Sequence, residues 1–289
     1  MSIVVTGATG HLGSLVVSAL LERVPASEVA AVVRNPAKAA DLAALGVEIR
    51  VADYTEPRTL EGVFEAGDRV LLISSNAMEE NTAQHAAVVE AAARAGVALL
   101  AYTSVLGGAA ATFRIAAHHV ATEELILVSG VPYVLLRNGW YNENYAGNIG
   151  FVLKSGVVLG SAGEGRIASA SRADYAAAAA AVLTGEGDQN VYELSGDEAW
   201  TLADLAAEVS RQTGRPITYR DLPAAEYTKV MADAGVPLRD AESVADADLG
   251  IARGELAAVT GDLRRLIGRP TTPIADSIAA ALKGLADKS

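Results

Sequence analysis

The chain has 289 residues, 51% hydrophobic and 20% charged, with 35 acidic against 23 basic residues and a formal charge of -12. This composition supports a sizeable core and excludes disorder, while the negative field excludes sequence-independent binding to a phosphate backbone. The lack of Cys removes disulfides, thiolate nucleophiles and Cys-based metal sites.

In chain order, short apolar runs alternate with longer segments of helical period, the pattern of a parallel sheet with crossover helices. Strands are expected at Ile3–Thr6, Val29–Val33, Glu48–Val51, Val70–Ile73, Leu99–Thr103 and Tyr133–Leu136. Helices are expected near Leu12–Val24, Ala37–Leu45, Thr59–Phe64, Asn81–Ala95 and Ala116–Ser129. Strands apolar on both faces require helices on both sides of the sheet. From Gly139 to Gly165, Gly, Asn and aromatic residues point to loops with short elements. Arg172–Leu183 reads as a helix whose Ala176–Ala181 run serves close packing, and Val191–Leu194 as a returning strand. Thr201 is placed to cap a helix beginning near Leu202. Helices near Ala224–Ala234, Asp240–Leu249, Asp262–Ile267 and Ile274–Leu285 complete a lobe. The expected architecture is α/β. A Rossmann doubly wound parallel sheet occupies residues 1–150, and a smaller C-terminal α/β lobe occupies 151–289, with about 171–195 returning to the core. The cleft between them is the expected ligand site. No basic segment precedes the first apolar run, and no stretch of about 18 uninterrupted apolar residues occurs. The expected setting is the cytoplasm, without nucleic-acid or membrane partners.

Gly7-Ala8-Thr9-Gly10-His11-Leu12-Gly13 follows the first strand and opens a helix, the context that makes a glycine-rich run informative. Gly7 permits the tight turn, Gly10 lets backbone approach a pyrophosphate, and Gly13 allows helix and strand to pack closely. The helix N-terminus presents unpaired N–H groups to the anion. The second strand ends in Arg34-Asn35-Pro36, with Lys38 just beyond. An acid there would repel a 2′-phosphate, whereas Arg34 forms charge-assisted bonds to it, so NADP is expected over NAD. Asp53 is placed either to reach the adenine or to cap its own loop. Ser74, Ser75 and Asn76, ending the fourth strand, are expected to line the cofactor.

Many Rossmann-type reductases carry Tyr-x-x-x-Lys on a helix, and none of the five lysines here lies four residues after a Tyr. Tyr133 and Arg137 have the spacing, but in an extended strand they stand about 13 Å apart. The corresponding helix reads Ala117-His118-His119-Val120-Ala121-Thr122-Glu123. Adjacent histidines on a helix point about 100° apart. One of them either faces the cleft as a proton donor or is structural, and no metal site is expected. After the sixth strand, Asn138 or Asn142 could bond the nicotinamide carboxamide or a quinone oxygen. Trp140 and Tyr141 could supply flat walls, or Trp140 could wedge lobe to sheet. Ser104 is placed to donate to substrate or to cap a helix. Without a strong acid an ordinary ketone is hard to reduce. A quinone is undemanding, because hydride addition yields a weakly basic, phenolate-like anion.

Thr6–Gly13, Val32-Val33-Arg34-Asn35-Pro36-Ala37-Lys38 and Leu136-Arg137-Asn138-Gly139-Trp140-Tyr141-Asn142-Glu143-Asn144-Tyr145 together resemble the flavin-free NAD(P)H:quinone oxidoreductases of type 2. These are atypical short-chain dehydrogenases of the NmrA-like group. Ile167–Tyr175 and Leu266–Thr271 extend the likeness almost end to end. The resemblance implies an NADP-binding domain and two-electron reduction of a small-molecule quinone by direct hydride transfer from NADPH. It places Gly7 to Gly13, Arg34, Ser74 to Asn76, Asn138, Gly139, Trp140, Tyr141, Asn142 and Glu143 around the cofactor, with Arg172 nearby. His119 matches a family histidine. The candidate catalytic residues are Tyr141, His119 and Asn142. Related proteins include triphenylmethane-dye reductases and non-catalytic NADP redox sensors. Whether the chain forms a homo-oligomer is left open.

Overall fold

The computed structural model describes residues 1–75 and 81–287. The N-terminal elements are β1 (Ile3–Thr6), α1 (His11–Leu21), β2 (Val29–Val33), α2 (Ala40–Ala44), β3 (Glu48–Val51), β4 (Arg69–Leu72), α3 (Asn81–Ala95), β5 (Leu99–Val105), α4 (Arg114–Ser129) and β6 (Tyr133–Asn138). They are followed by α5 (Glu143–Ala146), α6 (Ile149–Ser155), β7 (Val157–Gly160), α7 (Arg172–Leu183), β8 (Val191–Leu194), α8 (Leu202–Thr213) and β9 (Thr218–Asp221). The chain closes with α9 (Ala224–Asp233), α10 (Leu238–Ala252), α11 (Asp262–Ile267) and α12 (Ile274–Ala286).

Alternation along β1 decides the layering. Ile3 and Val5 enter one core with Val16, Val17 and Leu20 of α1 and the alanines of α7. Val4 points the other way, to Val88 and Ala92 of α3 and Ile126 of α4. Both sheet faces are therefore covered. The strands run in the order β3-β2-β1-β4-β5-β6-β8, every neighbouring pair parallel. This is the doubly wound Rossmann-type α/β fold expected. The order reverses between β1 and β4, the switch point at which open sheets of this kind take ligands outside the strand C-termini. Parallel pairing brings Gly7, Arg34, Ser74 and Asn138 to that one edge. The Ala176–Ala181 run lies where α7 packs on α1, as close packing requires. Ser171 and Asp174 cap α7 reciprocally, and Thr201 with Asp204 does the same for α8.

The lobe core sits above the sheet edge. Val105, Leu106 and Phe113 meet Trp200, Ile251, Leu256 and Ile278 there. The lobe contains a two-stranded parallel pair, β7 with β9, that sequence patterning missed. Thr218-Tyr219-Arg220-Asp221 is mostly exposed and lacks an apolar alternation. The helix expected at Thr59–Phe64 is only a 3-10 turn at Pro57–Leu60, ended by Gly62 in the left-handed region at φ 73°. Among the described residues no helix is long and apolar enough to cross a membrane.

Candidate active site

The loop after β1 is shaped by its three glycines. Gly7 has φ +59°, and a Cβ on Gly13 would overlap Gly7 O and come within 2.8 Å of Ala8 Cα. Gly13 thus lets α1 start tight against the strand. Gly10 is the N-cap residue of α1 and offers no side-chain hydrogen bond, and the first turn carries no acid. The positive end of the helix is left unneutralised. Ala8 and Leu12 are buried beneath the loop, while Gly7, Thr9, Gly10 and His11 are exposed.

Arg34 lies beyond β2, exposed, and makes no ion pair or hydrogen bond with the other described residues. Asn35 accepts the Ala37 N–H at 3.0 Å and starts the short turn that carries Lys38, also exposed. Asp53 follows the loop-cap alternative. Its Oδ1 accepts from the Thr55 N–H at 2.9 Å and the Thr55 hydroxyl at 2.7 Å. These bonds, with a smaller contribution from Arg34, hold its carboxyl below the usual range.

The end of β4 is held from three sides. The Ser74 N–H donates to Thr103 Oγ1 at 2.9 Å, and the Ser75 N–H to His85 Nε2 at 3.1 Å. Asn81 Nδ2 donates to Ser75 O at 2.8 Å. Because His85 Nε2 accepts, its proton is on Nδ1, 2.9 Å from Thr122 Oγ1. Burial pulls the His85 pKa down to about 3, so the ring stays neutral. Asn76 lies outside the described residues.

On α4, His119 turns inward and hydrogen-bonds Tyr102 of β5, while Glu123, one turn on, accepts the Ser104 hydroxyl at 2.5 Å. Arg137 of β6 grips Glu123 with two bonds, Nε to Oε1 at 2.9 Å and Nη2 to Oε2 at 2.7 Å. Its Nη1 reaches Glu193 of β8 at 2.8 Å. A Cβ on Gly108 would meet the Arg137 guanidinium at 2.5 Å. Sequence reasoning missed this network. Its one signal in the sequence is that His119 and Glu123 have the i, i+4 spacing of a Tyr-x-x-x-Lys pair. Ser104 is therefore neither a helix cap nor a free donor, because its proton is committed to Glu123. His119 departs from the proton-donor expectation: removal from water pulls its pKa down to about 4, so it is not an imidazolium at neutral pH.

Asn138, at the end of β6, is buried. Its Nδ2 donates to the Tyr141 hydroxyl at 3.4 Å, and its Oδ1 has no partner among the described residues. Tyr141 stands edge-on to Tyr175 with centroids 5.2 Å apart, and the Arg172 guanidinium lies 4.8 Å from the Tyr141 ring centre. Burial pushes the Tyr141 hydroxyl pKa up, so it stays protonated. Gly139 passes between neighbours that leave no space for a side chain, a Cβ there meeting Leu194 O at 3.0 Å and the Tyr175 hydroxyl at 3.1 Å. Glu143 accepts the Arg172 N–H at 3.0 and 3.1 Å, and Arg172 Nη2 donates to Asn144 at 3.1 Å. Trp140 packs edge-on to Phe113, 6.3 Å between centroids, on the lobe core, which is the wedge alternative.

Asn142 differs from expectation. It is 0% exposed. Its Nδ2 donates to Thr272 O and Ser277 Oγ, both at 3.0 Å, and its Oδ1 accepts the Ser169 hydroxyl at 2.6 Å. Both amide hydrogens are spent on tying α5 to the chain before and within α12, so none remains for a nicotinamide or quinone oxygen. Sequence gave no sign of this, because the partners lie 130 and 135 positions away.

The NAD(P)H-binding family model matches residues 7–186. The chain is 45% identical over 278 residues to quinone oxidoreductase 2 of Escherichia coli (strain K12), covering 96% of this chain and 97% of that protein. The crystal structure of the NADPH-dependent quinone oxidoreductase QOR2 of Escherichia coli, complexed with NADPH, matches with a TM-score of 0.95 over 97% of this chain and 99% of that one. The NADP(H) complex of Citrobacter sp. triphenylmethane reductase matches at 38% identity with a TM-score of 0.92, over 97% of this chain and 100% of that one.

Proposed function

Since the chain belongs to the NAD(P)H-binding family that includes quinone oxidoreductase 2 of Escherichia coli, we propose that it reduces quinones to hydroquinones with two electrons from NADPH, without flavin. A small-molecule acceptor in the cytoplasm is the partner this reading implies.

The residues at the sheet edge fit the dinucleotide. A helix N-terminus with no side-chain cap and no first-turn acid suits a pyrophosphate. An unpaired guanidinium beyond β2 suits the 2′-phosphate. The Asn138 Oδ1, without a partner among the described residues, suits the N–H of a carboxamide. The single observation that carries the reading is that all three, a bare helix terminus, Arg34 and Asn138, share the one C-terminal edge of the parallel sheet.

NADPH, when bound, supplies the hydride. The chain's own part is to hold and to shield. Gly7 to Gly13 give backbone N–H groups to the diphosphate, with Ala8, Thr9, His11 and Leu12 shaping the loop, and Arg34 with Lys38 takes the outer phosphate. Ser74 and Ser75, held by Thr103, His85 and Asn81, form one wall. Tyr141, under the Arg172 guanidinium, forms another, and Glu143 anchors Arg172 at the start of α7. Gly139 and Trp140 join this wall to the lobe. No strong acid is needed for the phenolate-like product, and orientation supplies most of the acceleration. The test is NADPH consumption by flavin-stripped protein against a panel of simple quinones. Turnover above the uncatalysed rate is expected; tight NADPH binding without turnover contradicts the proposal.

A further inference from the structure

The lobe holds a second group of polar side chains that the cofactor edge does not use. Asp248 of α10 is 6% exposed, and no cation contributes to its surroundings. Its Oδ2 accepts the Ser161 N–H at 2.8 Å, and its Oδ1 has no hydrogen bond among the described residues. Two polar atoms nearby, the Tyr145 hydroxyl and Ser161 Oγ, are buried without partners among the described residues. The groups facing the carboxyl are Tyr145 of α5, Tyr219 and Asp221 of β9, and Tyr227 of α9. None is cationic. Gly160 leaves space for the carboxyl, since a Cβ there would lie 2.9 Å from Asp248 Oδ2.

Folded proteins rarely leave buried donors and acceptors unpaired, and here the Tyr145 hydroxyl and Ser161 Oγ do so within one lobe, beside a carboxyl that holds a single hydrogen bond. Their surroundings are aromatic. Tyr145 stands edge-on to Trp200 at 4.8 Å between centroids, and Trp140, Phe113 and Tyr219 belong to the same packed cluster. Tyr145 follows Asn138 to Tyr141 on the same stretch of chain, and Trp140 of that stretch packs on the same cluster. Flat apolar walls with hydroxyl and carboxyl tips match a planar carbonyl compound, whose ring stacks while its oxygen accepts.

We infer that Tyr145, Ser161 and Asp248 form the acceptor-binding site, the two hydroxyls donating to an oxygen of a planar quinonoid compound and the carboxylate accepting from the hydroxyl of its reduced form. This rests on the quinone-reductase reading and names the residues that hold its substrate. Burial without a cation raises the Asp248 pKa to about 6, so at neutral pH the carboxyl is largely an acceptor, suited to the hydroxyl of a bound hydroquinone.

The experiment compares wild type with Tyr145→Phe, Ser161→Ala and Asp248→Asn, each checked for a wild-type circular dichroism spectrum. Three quantities are read: quinone KM, the NADPH dissociation constant, and direct binding of a benzohydroquinone followed by tryptophan fluorescence. Tyr145→Phe and Asp248→Asn are expected to weaken hydroquinone binding and raise quinone KM by about tenfold, the loss of one hydrogen bond, with NADPH binding unchanged. Wild-type hydroquinone affinity in all three variants overturns the inference and makes the cluster a water-filled structural site, whatever the turnover. Hydroquinone binding that depends on these residues in a protein with no quinone turnover keeps the site and rejects the quinone-reductase reading.

Discussion

The Tyr102 hydroxyl and His119 Nδ1 stand 2.9 Å apart, joining β5 to α4 just below the strand ends that face the cofactor edge. With its pKa pulled down to about 4, His119 is neutral throughout the range in which enzymes of neutral compartments work. We therefore expect it to position α4 through Tyr102 rather than to deliver a proton. His119→Gln is expected to lower kcat by less than about tenfold and to leave the pH profile of kcat the same as that of the wild type. A positioned general acid contributes about 10²- to 10⁴-fold. A loss of that size, together with a pH break present in the wild type and absent from His119→Gln, restores the proton-donor role.

Gly13 faces Gly7 O and Ala8 Cα where α1 leaves the strand. Gly13→Ala forces the loop away from the helix, and unfolding in urea should show a loss of about 1–3 kcal/mol, the cost of overpacking. NADPH titration should show weakened binding in the same variant. Unchanged stability and affinity would mean the loop is softer than its contacts imply.

Glu123 and Arg137 form a two-bond ion pair whose acid side chain is 6% exposed. Arg137→Met leaves that carboxylate buried, unpaired but for the Ser104 hydroxyl, and should cost about 3–5 kcal/mol in urea unfolding. The double variant Glu123→Gln, Arg137→Met should lose less than the two single losses summed, because each removes what the other needs. Strict additivity contradicts the network.

Asp248 gives the pH dependence. Its folded-state pKa of about 6 lies above the unfolded value of about 3.9, so the native state binds the proton more tightly. The stability this contributes is fully present below about pH 4 and is lost as pH rises through 6. Near pH 8 the ionised carboxylate therefore costs the fold about 2–3 kcal/mol. Asp248→Asn should raise the melting temperature near pH 8 and leave it almost unchanged near pH 4. An equal effect at both pH values rejects the assignment.

Short-range signals made most of the frame legible. A strand, three spaced glycines and a helix stand next to one another in sequence, and their geometry follows from φ > 0 at Gly7 and the missing side chain at Gly13. Apolar runs such as Val29–Val33 and the capped alanine helix Arg172–Leu183 need no distant information either. The site's supports were not legible, because their partners are remote. His85 holds Ser75 from 10 positions away and Thr122 from 37. Glu123 meets Arg137 only once β5, α4 and β6 are packed. Asn142 shows the same limit most sharply: its residue type suited a nicotinamide contact, but the fold directs its amide to Thr272 and Ser277.

We expect Arg34 to select the phosphorylated dinucleotide whose hydride this chain delivers to a quinone. The direct measurement is quinone-dependent consumption of NADPH and of NADH by wild type and Arg34→Asp, with dissociation constants for both dinucleotides. NADPH is expected to be preferred, and the substitution should weaken it by about 1–3 kcal/mol, while NADH binding holds or improves. Equal losses for the two dinucleotides, or no quinone-dependent consumption of either, contradict the account.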